Sequence, residues 1–224
     1  MQKTWSIFSK STPTNPNAGP NGVTRWDGTT LYYYQQGRHF GQSAQQSVGD
    51  LLGPTYGGSG QCGVWAMLLQ DAWTLNGVVS TLIDAQIIPS YGYQLFWVNA
   101  WTINDMTKDF EFPNFKFPGE QYPVSNDLLP TPTGGNYSAM TNATGAAGQN
   151  SPTPSEKCWG DHAFVQYGTT SLYYDPSYGL IHTSPADLQS TCIKCFGKRD
   201  TNAPQGTSRY ILTQETNTAI YFPP

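Results

Sequence analysis

The chain has 224 residues, 38% hydrophobic and 14% aromatic, which is enough to close the core of one large domain and excludes an intrinsically disordered chain. Charged residues make up only 12% and the net charge is −4, so there is no basic footprint for nucleic acid and no Lys/Arg cluster for an anionic membrane. No apolar run approaches the ~18 residues of a membrane span. Gly, Asn, Thr, Ser, Gln and Tyr replace the missing charge. That composition fits an extracellular or cell-surface protein, although Met1 to Lys10 lacks a signal-peptide pattern.

In chain order, residues 1–22 read as an irregular N-terminal arm, rich from Ser9 onward in Ser, Thr, Pro, Asn and Gly. Residues 23–224 read as one catalytic-type domain. Thr29 to Gln35 is a Thr/Tyr-rich strand, and Gly57 to Gly60 is a turn. The clearest helix follows. Trp65, Leu68, Leu69, Ala72 and Leu75 form one apolar stripe at helical spacing, with Gly77 as its stop. Val78 to Ile83 and Tyr93 to Ile103 read as buried strands. Residues 104–157 form a long insertion: Asp109 to Pro123 is aromatic but broken by three prolines, and Asn126 to Lys157 is low in complexity, with sequons at Asn136 and Asn142. Further strands are expected at His162 to Tyr167, Ser171 to Tyr174, Arg209 to Gln214 and Thr218 to Phe222. A short helix begins at Ser184 and Pro185. A central helix followed by an antiparallel sheet is an α+β order.

Cys62 lies at the first turn of the expected helix. Free N–H groups and the helix dipole favour a thiolate there, its own N–H is placed as an oxyanion donor, and the glycines before it leave room for a substrate backbone. A buried structural cysteine is the competing reading at this position. The run Asp161 to Asp175 reads as a β-hairpin turning at Gly168 and Thr169, which sets His162 directly opposite Asp175 when the loop has two or four residues. A carboxylate at that distance holds an imidazole and fixes its tautomer. Ala163, Val165, Leu172 and Tyr174 then share the other face as an apolar set. His39 sits in a polar stretch beside Arg38, and His182 follows the Asp175 turn, which can bring it near the site, but has no evident carboxylate partner.

The run Gly60 to Ala66 resembles the nucleophile motif of the transglutaminase-like superfamily, His162 to Val165 its histidine strand, and Tyr174 to Ser177 its aspartate strand, in the order Cys, His, Asp. The resemblance spans about residues 55–180. It implies a papain-related fold in which a central helix carrying Cys62 lies on an antiparallel sheet carrying His162 and Asp175. It implies cysteine-dependent acyl transfer or hydrolysis at a protein or peptide amide through a thioester, without a cofactor. Some members use an upstream Trp at the oxyanion, and Trp26 is the candidate by position. No acidic cluster for calcium is evident, which sets the chain apart from the large cross-linking enzymes.

Two alternatives compete. Cys158, His162, Cys192 and Cys195 have the formal spacing of a small zinc-stabilised domain, or the three cysteines supply a disulfide. Otherwise the triad is silent, and aromatic residues (Tyr32 to Tyr34, Phe96, Trp97, Trp101) line a peptide- or carbohydrate-binding groove.

Overall fold

The structure is a computed structural model that describes residues 1–9, 23–33, 47–53, 58–60, 62–98, 158–199, 210–213 and 215–223. The expected insertion at 104–157, its sequons, His39, Tyr34 and Trp101 lie outside the described residues. The elements in order are α1 (Gln2–Phe8), β1 (Tyr32–Tyr33), α2 (Val48–Leu52), β2 (Ser59–Gly60), α3 (Cys62–Leu75), β3 (Ser80–Ile87), a 3-10 turn at Pro89–Tyr91, β4 (Leu95–Val98), β5 (Cys158–Trp159), β6 (Asp161–Tyr167), β7 (Tyr173–Asp175), β8 (Leu180–His182), α4 (Pro185–Cys192), β9 (Ile193–Arg199), β10 (Tyr210–Thr213) and β11 (Ile220–Tyr221). Helices and antiparallel sheets together make an α+β chain. Among the described residues no helix is long and apolar enough to cross a membrane.

The start of the chain corrects the expected arm. Residues 2–8 are helical, and Trp5 and Phe8 are buried. Trp5 meets Tyr174 edge-on at 4.9 Å, and Phe8 meets Trp65 at 6.3 Å. The three-residue spacing of those rings puts both on one side of a helix.

Helix α3 forms where its apolar residues predict, but turned about its axis. Its buried side carries Cys62, Val64, Trp65, Ala66, Leu69 and Trp73, whereas Leu75 is 88% exposed. The two indoles decide the orientation, because each buries about 150–250 Å², more than a leucine offers. Trp73 meets Tyr174 at 4.9 Å and Tyr167 at 6.0 Å, both edge-on. The helix ends in a Schellman motif. Val78 N–H donates to Trp73 O at 2.9 Å, Gly77 N–H donates to Thr74 O at 3.0 Å, and Gly77 has φ +70°. A Cβ on Gly77 would meet nothing within 4 Å, so the cost of Gly77→Ala is backbone strain alone. We expect a loss of about 1–2 kcal/mol, read as a lower denaturation midpoint with an unchanged slope.

A five-stranded antiparallel sheet runs β11-β3-β6-β7-β8, and a four-stranded one runs β10-β9-β4-β5. The short strands β1 and β2 pair in parallel. β6 is central in its sheet, matched to β3 from Ser80↔Tyr167 to Gln86↔Asp161. Its register with β7 is Val165↔Tyr174 and Gln166↔Tyr173. The hairpin therefore turns one residue later than expected, with Tyr167 N–H donating to Leu172 O at 3.1 Å. Asp175 falls level with Phe164, and His162 is its diagonal rather than its opposite neighbour. A shift of two positions keeps every side chain on its own face. Ala163, Val165 and Tyr174 accordingly share one face, reached by Trp73, while His162 and Asp175 share the other.

Helix α4 starts as its sequence predicts. Ser184 Oγ accepts from Asp187 N–H at 3.1 Å, and Pro185 occupies the first turn.

Candidate active site

Asp175 closes β7 and is fully buried. The chain then turns so tightly that Gly179 N–H donates to the Asp175 carbonyl at 2.8 Å. Within this turn the carboxylate is held at both oxygens. Oδ1 accepts from the backbone N–H of Ser177 at 3.0 Å and of Tyr178 at 3.3 Å. Oδ2 lies 2.7 Å from His162 Nε2. Two backbone donors on one oxygen anchor Oδ1, which leaves Oδ2 to orient the histidine.

His162 is 2% exposed. The registered pairs of β6 and β7 stop at Val165, so His162 lies beyond the paired stretch, and there Cys62 from the first turn of α3 interacts with its ring. With Nε2 committed to Asp175, any proton exchange with the sulfur runs through Nδ1. Burial alone would disfavour the imidazolium. The Asp175 charge and hydrogen bond, followed by a smaller contribution from nearby Cys62, outweigh burial and lift the His162 pKa to about 10. Burial likewise pushes the Asp175 carboxyl up, and the neighbouring His162 and then His182 reverse this, holding it well below the ordinary carboxylate range.

The structure thus brings together Cys62, His162 and Asp175 from α3, β6 and β7. It also adds Tyr178, which sequence reasoning passed over, and gives His182 a partner that it lacked. The Tyr178 ring lies 5.4 Å from the His162 ring and 5.3 Å from that of Tyr33. Burial keeps the Tyr178 phenol protonated, with its pKa well above the ordinary value. His182, expected to lack a carboxylate partner, places Nε2 3.6 Å from Asp175 Oδ2. The available signal was the third strand. β8 returns antiparallel to β7 with Tyr173↔His182 and Asp175↔Leu180, which sets a second histidine diagonal to Asp175 from the other side.

Several expected roles are corrected. Trp26 is 93% exposed, on a turn fixed by the hydrogen bond from Arg25 Nε to Asp27 Oδ1 at 2.9 Å. It does not pack over Cys62, which is only 8% exposed. The glycines before α3 are filled by the protein's own chain rather than left for substrate. A Cβ on Gly58 would come within 2.9 Å of Thr30 O, and one on Gly60 within 3.2 Å of Leu51 Cδ1. Tyr33 and Phe96, offered as groove-lining aromatics, belong to the core.

Two of the remaining cysteines are also set apart. Cys158 and Cys195 both register with Trp97, from opposite sides of β4. Two strand spacings put their Cα atoms about 9–10 Å apart, beyond the reach of a disulfide. Among the described residues no three His, Cys, Asp or Glu side chains converge on a metal-sized site, and Nε2 of His162 faces Asp175 instead.

No family model, curated protein or solved structure matches this chain.

Proposed function

We propose that the chain is a cysteine-dependent enzyme of the transglutaminase-like, papain-related kind, acting on protein or peptide amides by acyl transfer or hydrolysis through a thioester. The observation that carries this reading is the histidine held between a buried carboxylate and the cysteine at a helix start (Asp175 Oδ2 to His162 Nε2, 2.7 Å). Support also comes from the placement of the three elements: the helix carrying Cys62 contacts the antiparallel strand carrying His162, whose neighbour ends in Asp175.

The steps follow from the charges. His162 holds the proton of Cys62, and the sulfur reacts as a thiolate. The thiolate attacks the amide carbonyl, and the Cys62 backbone N–H, unpaired within the helix at its first turn, donates to the oxyanion. Part of what raises the His162 pKa is the sulfur itself. Once that sulfur has bonded to the carbonyl carbon it is neutral and the contribution falls away, so the imidazolium can release its proton to the amine, whose departure leaves the thioester. Neutral His162 then accepts a proton from water or an incoming amine as it attacks the thioester. The sulfur leaves as thiolate and the resting state returns.

The test is a glutamine-donor assay with a labelled primary amine, run beside hydrolysis of a peptide library. Thiol-dependent turnover in either assay is expected, removed by prior alkylation. Activity that survives complete alkylation of the cysteines contradicts the reading.

A further inference from the structure

We propose that His182 is a positioning residue for this site. Acting from the strand opposite His162, it confines the Asp175 carboxylate so that Oδ2 stays on His162 Nε2 as the ring changes charge during turnover. The inference rests on the reading of Cys62, His162 and Asp175 given above and adds a fourth side chain to it.

Three observations carry it. His182 is 1% exposed. Neither of its ring nitrogens has a hydrogen-bond partner among the described residues. Buried polar atoms in native proteins are nearly always satisfied, so an open Nε2 turned toward a carboxylate needs a reason. Its Nε2 points at Asp175 Oδ2 from 3.6 Å, just beyond hydrogen-bond distance. The geometry explains why that distance is useful. β6 and β8 flank β7, and the registers set His162 diagonal to Asp175 on one side and His182 diagonal on the other. Oδ1 is already fixed by the backbone at Ser177 and Tyr178, so the only freedom left to the carboxylate is the swing of Oδ2 between the two imidazoles. A donor slightly too far to compete with His162 at 2.7 Å, yet near enough to share the carboxylate's charge, limits that swing. Its effect on Asp175 has the expected direction: His182 helps to hold the carboxyl ionised. The Phe164 ring, 6.5 Å away, is one of the walls that keep the imidazole in place.

The chain has only three histidines, so ¹⁵N-histidine NMR resolves them individually. The proposal is tested with the wild type, His182→Leu and His182→Gln. Leucine fills the volume without a donor, and glutamine returns an N–H near the position of Nε2. Two quantities are read: the rate of Cys62 alkylation by iodoacetamide at neutral pH, mapped by mass spectrometry, and the exchange-protected His162 Nε2–H signal. His182→Leu is expected to slow alkylation about 10-fold or more, the scale lost when a partner that holds a metal-ligating side chain in place is removed, and to broaden or erase the His162 signal. His182→Gln is expected to restore both to within a few-fold. Wild-type behaviour of His182→Leu overturns the proposal, and so does equal impairment of both variants, which marks a packing role alone. The His162 signal does not depend on Cys62 reactivity. Failure of wild-type Cys62 to alkylate would therefore sink the nucleophile reading while the signal still decides the role of His182.

Discussion

Cys62→Ala is expected to lower kcat/KM for amide turnover by about 10⁴–10⁶-fold, the range lost when the nucleophile of a Ser- or Cys-type triad is removed. The size follows from what is left behind. His162 and Asp175 still form their ion pair without a sulfur, but a histidine so placed can only assist water, and the covalent route is closed. The residual rate then comes from binding and from the N–H at the start of α3. The substitution removes one buried atom at a helix start, so the fold should persist, which circular dichroism would verify. Retention of more than about a tenth of the wild-type rate would show that the thiol is not the attacking group.

Asp175→Asn is the second large effect, and its cause lies in the turn after β7. Two backbone N–H groups, from Ser177 and Tyr178, point at Oδ1. They require an acceptor, so the amide oxygen of the substituted side chain takes that position and its NH₂ faces His162 Nε2. The ring must then accept at Nε2 and carry its proton on Nδ1, toward the sulfur. Held in that tautomer it cannot take a proton from Cys62. A loss on the order of 10³–10⁴-fold in kcat is expected, with KM little changed. A kcat within a few-fold of wild type would mean that Asp175 does not set the tautomer.

The same variant alters the dependence of stability on pH. The Asp175 pKa in the folded chain lies below its unfolded value. Its contribution is therefore present above about pH 4 and is lost as the pH falls further. The His162 pKa is raised to about 10. Its contribution is complete below about pH 6.5 and fades as the pH rises toward the folded value. The pair thus stabilises most fully between about pH 4 and 6.5. Denaturation midpoints of the wild type should decline on both sides of that window, and the Asp175→Asn profile should be flatter on both.

Much of this arrangement was legible in the chain. Cys62 could be placed at a helix start because an apolar repeat follows it and Gly77 ends it. His162 and Asp175 could be placed on one face because any even shift of a hairpin preserves the face. The exact register could not, since it depends on which residues close the loop. Tyr167 and Leu172 do so, one position later than the glycine suggests. The buried side of α3 was misread because counting apolar residues weights Leu75 equally with Trp73, whereas the aromatic partners Tyr167 and Tyr174 come from a distant part of the chain. Helix α1 was hidden for a similar reason. Its N-terminus has no side-chain hydrogen bond, and what holds it is the burial of Trp5 and Phe8 against residues far along the sequence. The carboxylate partner of His182 was not evident, because the two meet only after the chain has turned back through Gly179 into β8.

The most direct test of the central claim is to trap the acyl-enzyme. The protein is mixed briefly with a glutamine-containing peptide donor, quenched in acid and mapped by mass spectrometry with and without hydroxylamine. One hydroxylamine-labile acyl group on the peptide containing Cys62 is the result this account predicts. Turnover without such an adduct, or an adduct confined to Cys158, Cys192 or Cys195, would contradict it.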